Sequence, residues 1–209
     1  LLYADTFIAT ITTPLGCTNS DSVKAYLYPT PNANFTVQSN ACVNQSVTIT
    51  YTGSGTATAI YIWNFGNNST VISGSGQGPY VIQWSNSGNQ NITLSVTENG
   101  CTSSVGTQTI NIYNQITPNY TVTSPVCSQD SILSHYTGNG GPATTFNWSV
   151  SGGTILNGTA NDTLLLQAPN NLAPVGGSAT PLNVNITLTA TYLSCPAVTQ
   201  TNTVVVNPK

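Results

Sequence analysis

This sequence predicts an all-β chain of tandem β-sandwich domains, on three observations. Apolar residues alternate with Thr, Ser and Ala along several stretches, the period of a strand with one buried face. A strand–cysteine–strand motif occurs three times at near-constant spacing. The segments between are rich in Gly, Pro, Asn and Ser, the residues of turns, and none reads as a convincing helix.

The repeat defines the domains. Three segments share one ending: Phe7-Ile8-Ala9-Thr10-Ile11-Thr12 leads to Cys17, Ile92-Thr93-Leu94-Ser95-Val96-Thr97 to Cys101, and Ile186-Thr187-Leu188-Thr189-Ala190-Thr191 to Cys195. A strand follows each cysteine, at Val23–Tyr28, Thr107–Tyr113 and Thr201–Val206. Two segments share one beginning. Asn34-Phe35-Thr36-Val37 precedes Cys42 and then Val47-Thr48-Ile49-Thr50-Tyr51-Thr52-Gly53; Asn119-Tyr120-Thr121-Val122 precedes Cys127 and then Ser131-Ile132-Leu133-Ser134-His135-Tyr136-Thr137-Gly138.

The spacings agree: Cys42 to Cys127 is 85 residues, Cys17 to Cys101 is 84, and Cys101 to Cys195 is 94. The Pro/Gly/Asn-rich stretch Ala168–Pro181 accounts for the longer last unit. Residues 31–115 and 116–209 are therefore two full repeats. Residues 1–30 are expected to be the C-terminal strands of a truncated preceding repeat. Linkers are short and carry proline (Pro29-Thr30-Pro31 and Pro118), which stiffens a connection and predicts a rod.

Composition narrows function. Hydrophobic residues, at 39%, suffice for packed cores, but only 3% of residues are charged, against about 25% in an ordinary soluble protein. The cations are Lys24 and Lys209, with no arginine. Nucleic-acid binding and polybasic membrane contact both need clustered Lys and Arg, so neither partner is expected. No run approaches the ~18 apolar residues of a membrane span. The first residues lack the basic start and apolar stretch of a signal peptide; any export signal is expected to be removed or upstream. Few charges imply tolerance of changing salt, and a trypsin-like protease finds only Lys24 as an internal target.

Each full repeat has one cysteine after its first strand and one in its last hairpin. This arrangement predicts disulfides Cys42–Cys101 and Cys127–Cys195, with Cys17 unpaired because its partner lies in the missing part of the first unit. Disulfides imply an oxidising compartment, hence an extracellular or cell-surface location. No Cys-x-x-Cys spacing is present, and a single histidine cannot complete a ligand set, so no metal or other cofactor is expected.

Ile60-Tyr61-Ile62-Trp63-Asn64-Phe65-Gly66-Asn67 lies mid-repeat, matched by Phe146-Asn147-Trp148-Ser149-Val150-Ser151-Gly152-Gly153. A tryptophan on a central sandwich strand is expected in the core, so Trp63 and Trp148 are read as core residues. The Trp-x-Phe-Gly strand end, the Gly/Ser turn region and Gly88-Asn89-Gln90-Asn91-Ile92-Thr93-Leu94-Ser95-Val96 resemble the PKD (polycystic kidney disease) domain. The second repeat resembles a divergent member, of the kind repeated in very large surface proteins of Bacteroidota. The resemblance implies immunoglobulin-like (PKD-like) β-sandwiches serving as spacers or adhesion modules, and suggests cell-surface adhesins such as those used in gliding. Asn64 and Asn67 stand where the family carries aspartates, so no cation-linked role is carried over.

All four aspartates are followed by Ser or Thr and then an apolar residue: Asp5-Thr6-Phe7, Asp21-Ser22-Val23, Asp130-Ser131-Ile132 and Asp162-Thr163-Leu164. The triplet resembles the O-glycosylation acceptor pattern of exported Bacteroidota proteins, which makes Thr6, Ser22, Ser131 and Thr163 candidate acceptors. The alternative is that Asp and Ser/Thr both favour turns before strands. Asn-x-Ser/Thr sequons number ten, against about seven expected from composition, an excess that does not indicate N-glycosylation.

No enzyme is expected. A nucleophilic triad would have to use His135, the only histidine, with Asp130 and Ser131 nearby, but Thr50 replaces it in the other repeat and no orienting group or oxyanion site is evident. Glycosidase chemistry needs paired carboxylates, and Glu98, Asp130 and Asp162 show no pairing. The Gly74–Gly78 stretch lacks the Lys and helix of a phosphate loop. The leading function is a structural stalk in an adhesin or filament, with neighbouring repeats as partners. The alternative is recognition of surface glycans or proteins, with Trp84, Tyr80 and Tyr61 as candidate contacts and core packing as the competing role for Trp84. A further alternative is self-assembly of identical chains, the leading hairpin completing another copy's sheet.

Overall fold

The computed structural model describes residues 3–172, 177 and 180–209. Part of the stretch invoked for the longer second repeat (173–176, 178 and 179) lies outside the described residues. All regular structure among the described residues is β. Two strands open the chain, β1 (Tyr3–Thr12) and β2 (Thr18–Leu27). The first repeat then runs through β3 (Phe35–Thr36), β4 (Asn40–Cys42), β5 (Val47–Tyr51), β6 (Ile60–Asn64), β7 (Ser69–Ser73), β8 (Tyr80–Trp84), β9 (Gly88–Glu98), β10 (Cys101–Thr102) and β11 (Gly106–Tyr113). The second runs through β12 (Tyr120–Val122), β13 (Val126–Cys127), β14 (Ser131–Tyr136), β15 (Thr144–Val150), β16 (Thr154–Asn157), β17 (Thr163–Gln167), β18 (Leu182–Tyr192) and β19 (Val198–Asn207).

The chain divides into two compact units. One holds Leu1–Ser39 and Asn44–Ile112; the other holds Asn40–Val43 and Tyr113–Lys209. In the first unit, one sheet has the order β3-β5-β8-β7, and in the other β9 pairs with β6, β10 and β11. In the second unit the orders are β12-β14-β17-β16 and β15-β18-β19-β13. The sequence repeat is thus a repeat of topology, an immunoglobulin-like sandwich.

The long central strands show why. In β9, Gln90, Ile92, Leu94 and Val96 are buried and the residues between them are exposed or half-buried; in β18 the buried set is Val184, Ile186, Leu188 and Ala190. The burial pattern of the two strands is the same residue for residue. Alternation puts every second side chain on the core face, and each fully buried Ile or Leu contributes about 1.5–3 kcal/mol by leaving water. In the second unit that face closes on Tyr120, Ile132, Leu164 and Leu166 of the opposing sheet, with Trp148 beside them.

Each sandwich also ties down its own entry. Tyr136 donates to the Thr117 carbonyl oxygen (2.9 Å) and accepts from the Gly140 N–H (3.0 Å). Tyr51 does the same with Asn32 (2.7 Å) and Gly55 (2.7 Å). The shared Tyr-Thr-Gly sequence has its reason here: a Cβ on Gly53 or Gly138 would overlap the same carbonyl and the same phenol oxygen.

The β1–β2 hairpin is an exception to burial. It pairs antiparallel from Tyr3↔Leu27 to Thr12↔Thr18. Phe7, Ile11 and Val23 are 61%, 72% and 64% exposed, although Phe7 and Ile11 align with the fully buried Ile92 and Val96 of β9.

Candidate functional site

The cysteines carry the most specific chemistry, and here the structure corrects the sequence reading. Cys42 is bonded to Cys195, at a Cα separation of 5.3 Å and across 153 residues. Both are buried, and both lie in the second compact unit. Cys101 and Cys127 carry free thiols, as does the exposed Cys17. The expected Cys42–Cys101 and Cys127–Cys195 links are therefore absent.

Strand length gives the physical reason. In the second unit β13 runs parallel to β19, with Cys127 opposite Asn207 and Val126 opposite Val206. Val206 is opposite Leu182, the first residue of β18. Cys195 lies past the other end of that strand, its N–H bonded to the Tyr192 carbonyl (3.0 Å). Ten residues of strand span roughly 33 Å, and a disulfide needs Cα atoms within about 7 Å. The first repeat has the same geometry. The Asn111 N–H donates to the Ser39 carbonyl (2.9 Å), and Asn111 is opposite Asn89 near the start of β9. Cys101 is opposite Glu98 at the far end. Cysteines after the first strand and in the last hairpin sit at opposite ends of a sandwich. Repeat spacing showed which cysteines correspond but not which end each occupies.

The local turns are equally repeated. Two residues after Cys42 and Cys127, Asn44 and Gln129 adopt φ 62° and 63°; two residues before Cys101 and Cys195, Asn99 and Leu193 both adopt φ 50°. The Cys101 sulfur lies 3.6 Å from the Tyr28 carbonyl oxygen, and the Cys195 sulfur 3.7 Å from that of Asn114. Tyr28 and Asn114 each directly follow the last strand of the preceding hairpin.

The aromatic candidates are mostly committed to packing. Trp84 is 0% exposed, and its indole N–H donates to the Phe65 carbonyl (2.9 Å). It cannot be a ligand platform, and its role is the core. Tyr80 is half-buried between Trp63 and Phe65, with ring centroids at 5.5 and 5.0 Å. Tyr61 packs edge-on against Tyr51 (5.1 Å) and donates to the Thr56 carbonyl (2.8 Å). Burial, the Tyr51 phenol and the Glu98 carboxylate push the Tyr61 pKa up to about 12. Trp148 is buried, whereas Trp63 is half-buried, against Phe35 at 5.1 Å.

The sole histidine does not assemble a nucleophile. His135 is exposed, with Nδ1 3.2 Å from the Thr163 hydroxyl, and that hydroxyl donates to Asp162 (3.2 Å). In a triad the carboxylate would hold the imidazole's other nitrogen rather than the hydroxyl. Asp130 instead pairs with Lys209 (2.7 Å), whose hydrogen bond holds the carboxyl below its usual range. Among the described residues no group of three His, Cys, Asp or Glu side chains is arranged to hold a metal.

An open groove of about 840 Å³ in the second unit is lined by Tyr136, Phe146, Asn161, Asp162, Thr163 and Leu165, among others. Its two rings pack edge-on against each other at 4.9 Å, with Tyr136 buried and Phe146 half-buried. Of the candidate acceptors, Thr6, Ser22 and Ser131 are exposed and Thr163 is half-buried. Asp5 and Asp21 accept from the N–H of Thr6 (2.9 Å) and Ser22 (2.8 Å), leaving those hydroxyls outside these contacts.

No family model and no curated protein matches the chain. Among solved structures it is similar to the protocadherin gamma B7 extracellular cadherin domains 1–4, at 12% identity and a TM-score of 0.35, covering 99% of this chain and 66% of that one. It is also similar to the chicken CNTN1 FN1–FN3 domains, at 12% identity and a TM-score of 0.37, covering 95% and 76%. A third similarity is to Escherichia coli alpha-2-macroglobulin activated by porcine elastase, at 8% identity and a TM-score of 0.33, covering 97% and 24%. The chain thus spans less than two thirds of the first and about a quarter of the third.

Proposed function

We propose that these are non-enzymatic stalk repeats of a secreted or cell-surface adhesin or filament. The observation that carries this reading is the duplicated sandwich, with one sheet in equivalent strand order (β3-β5-β8-β7 and β12-β14-β17-β16) and a central strand buried in the same pattern each time. Repeated modules serve as spacers when each has its own core and a short connection to the next. The proline linkers supply that connection, and the disulfide supports an oxidising, extracellular compartment. Residues 1–30 are read as the closing strands of a preceding PKD-like sandwich, with 31–115 and 116–209 as two further ones. The PKD-like resemblance points to adhesins of the gliding type.

Small-angle scattering on the 209-residue chain tests the stalk. A compact particle of this length has a radius of gyration of about 17 Å. An extended value well above this is expected, and ~17 Å would overturn the rod.

A second reading, strand completion between identical chains, draws on the exposed apolar face of β1 and β2, with Phe7, Ile11 and Val23. Sedimentation separates the two. A stalk repeat stays monomeric at micromolar concentration, whereas a self-completing subunit forms dimers or longer chains that Phe7→Ser and Val23→Ser abolish.

A further inference from the structure

The disulfide crosses the boundary of the sequence repeat, and the remaining cysteines hold its two half-positions. Cys42 belongs to the beginning of the first repeat and Cys195 to the last hairpin of the second. Cys127 occupies in the second repeat the place of Cys42 in the first. The residue after each donates its N–H 2.9 Å to the closing strand of its repeat: Val43 to Tyr113, and Ser128 to Asn207. Cys101 occupies the place of Cys195. The turn before each has the same φ of 50°, and each sulfur lies against the first carbonyl after the preceding hairpin. Cys42 and Cys195 are buried against each other, whereas Cys127 is exposed and Cys101 half-buried.

We propose that successive repeats of the parent protein are stapled by disulfides that run from the first-strand cysteine of one repeat to the hairpin cysteine of the next. Cys127 takes the hairpin cysteine of a following repeat, and Cys101 takes the first-strand cysteine of a preceding one. Thiols without a partner in an oxidising compartment point to pairing beyond the segment. Here a formed bond at equivalent positions defines the partner: a cysteine in the complementary half-position of a like sandwich. Each staple forms when two thiols lose two protons and two electrons. The oxidant is the disulfide of a thiol oxidoreductase, which is reduced to two thiols through a mixed disulfide. The proposal holds whether or not the parent protein is an adhesin.

The test is non-reducing peptide mapping of the protein purified from its source, with thiols alkylated before denaturation. The expected result is a Cys42–Cys195 link, and Cys101 and Cys127 each joined to a cysteine peptide from outside residues 1–209. The denatured, unreduced protein should run as a single polypeptide. Alkylated Cys101 and Cys127 would overturn the staple, as would Cys42–Cys101 or Cys127–Cys195 links. A covalent dimer would replace tandem repeats by a second copy and overturn the assignment. On the 209-residue chain made in an oxidising compartment, Cys42–Cys195 should form while Cys17, Cys101 and Cys127 remain alkylatable. Links within a repeat would sink the proposal there too.

Discussion

Tyr136 holds the Thr117 carbonyl through a 2.9 Å hydrogen bond, fixing the first residues of the second repeat to the strand that begins its core. The same phenol oxygen accepts from Gly140 at 3.0 Å. Tyr136→Phe removes both bonds and leaves a partly buried N–H and carbonyl, for an expected loss of about 1–3 kcal/mol. Gly138→Ala should do at least as much harm, because its Cβ would overlap the Thr117 carbonyl and the phenol oxygen. Urea unfolding of the second unit measures both. A midpoint unchanged in Tyr136→Phe would show that the tie contributes nothing.

Comparing the repeats identifies substitutions that should stabilise. Ser134 is fully buried, and its hydroxyl has no hydrogen-bond partner among the described residues, whereas the first repeat has Ile49 at that position. An unpaired buried hydroxyl is penalised by lost hydration. Ser134→Ala should therefore be neutral or stabilising by up to ~1 kcal/mol. Leu193 sits at φ 50°, a left-handed conformation unfavourable for a leucine, and its counterpart Asn99 belongs to the type that tolerates it. Leu193→Asn should raise the urea midpoint without changing the slope; a lowered midpoint would contradict the strain argument.

The fold was legible because its signals are local. Alternation marked β9 and β18, and Tyr51-Thr52-Gly53 against Tyr136-Thr137-Gly138 aligned the repeats through a motif that proves to be one hydrogen-bonded tie. The disulfide was not legible. Pairing depends on which end of a sandwich each cysteine reaches, a three-dimensional property of a ten-residue strand that spacing alone does not reveal. Trp84 was ambiguous for a related reason. A tryptophan at a strand end faces core or solvent according to register, and here Ile82 opposite Val47 turns it inward.

The disulfide should stabilise the second unit. On the chain-entropy model, linking positions 153 apart restricts the unfolded chain by roughly 5 kcal/mol, with typical measured values of 2–4 kcal/mol. Cys42→Ser and Cys195→Ser should each lower the unfolding midpoint by a similar amount, because either removes the same bond. Cys101→Ser should leave it unchanged in the 209-residue chain. If Cys101→Ser were as damaging as Cys42→Ser, the pairing would have to be redrawn.

Glycosylation would follow accessibility if the Asp-Ser/Thr triplets are acceptors. Thr6, Ser22 and Ser131 are exposed. Thr163 is half-buried, and its hydroxyl is engaged by Asp162 and His135. Peptide mass spectrometry of native material should find hexose at the first three and the lowest occupancy at Thr163. An unmodified mass throughout would remove the acceptor reading.

Alkaline pH isolates one tyrosine of the first unit; Tyr120, whose pKa burial also raises, belongs to the second. Tyr61 keeps its proton up to about 12, first because it is buried and then because the Tyr51 phenol and the Glu98 carboxylate oppose a second negative charge. An unfolded tyrosine ionises near pH ~10. Between these values the unfolded chain holds fewer protons than the folded one, so stability falls as pH rises. The contribution is complete below pH ~10 and is lost on the way to about 12. Thiolate exchange would confuse the measurement, so the background carries Cys17→Ser, Cys101→Ser and Cys127→Ser. Unfolding of the first unit, followed by its tryptophan fluorescence from pH 9 to 12, should show a declining midpoint that Tyr61→Phe flattens. An equal decline in Tyr61→Phe would assign the loss to other groups and remove Tyr61 from the account.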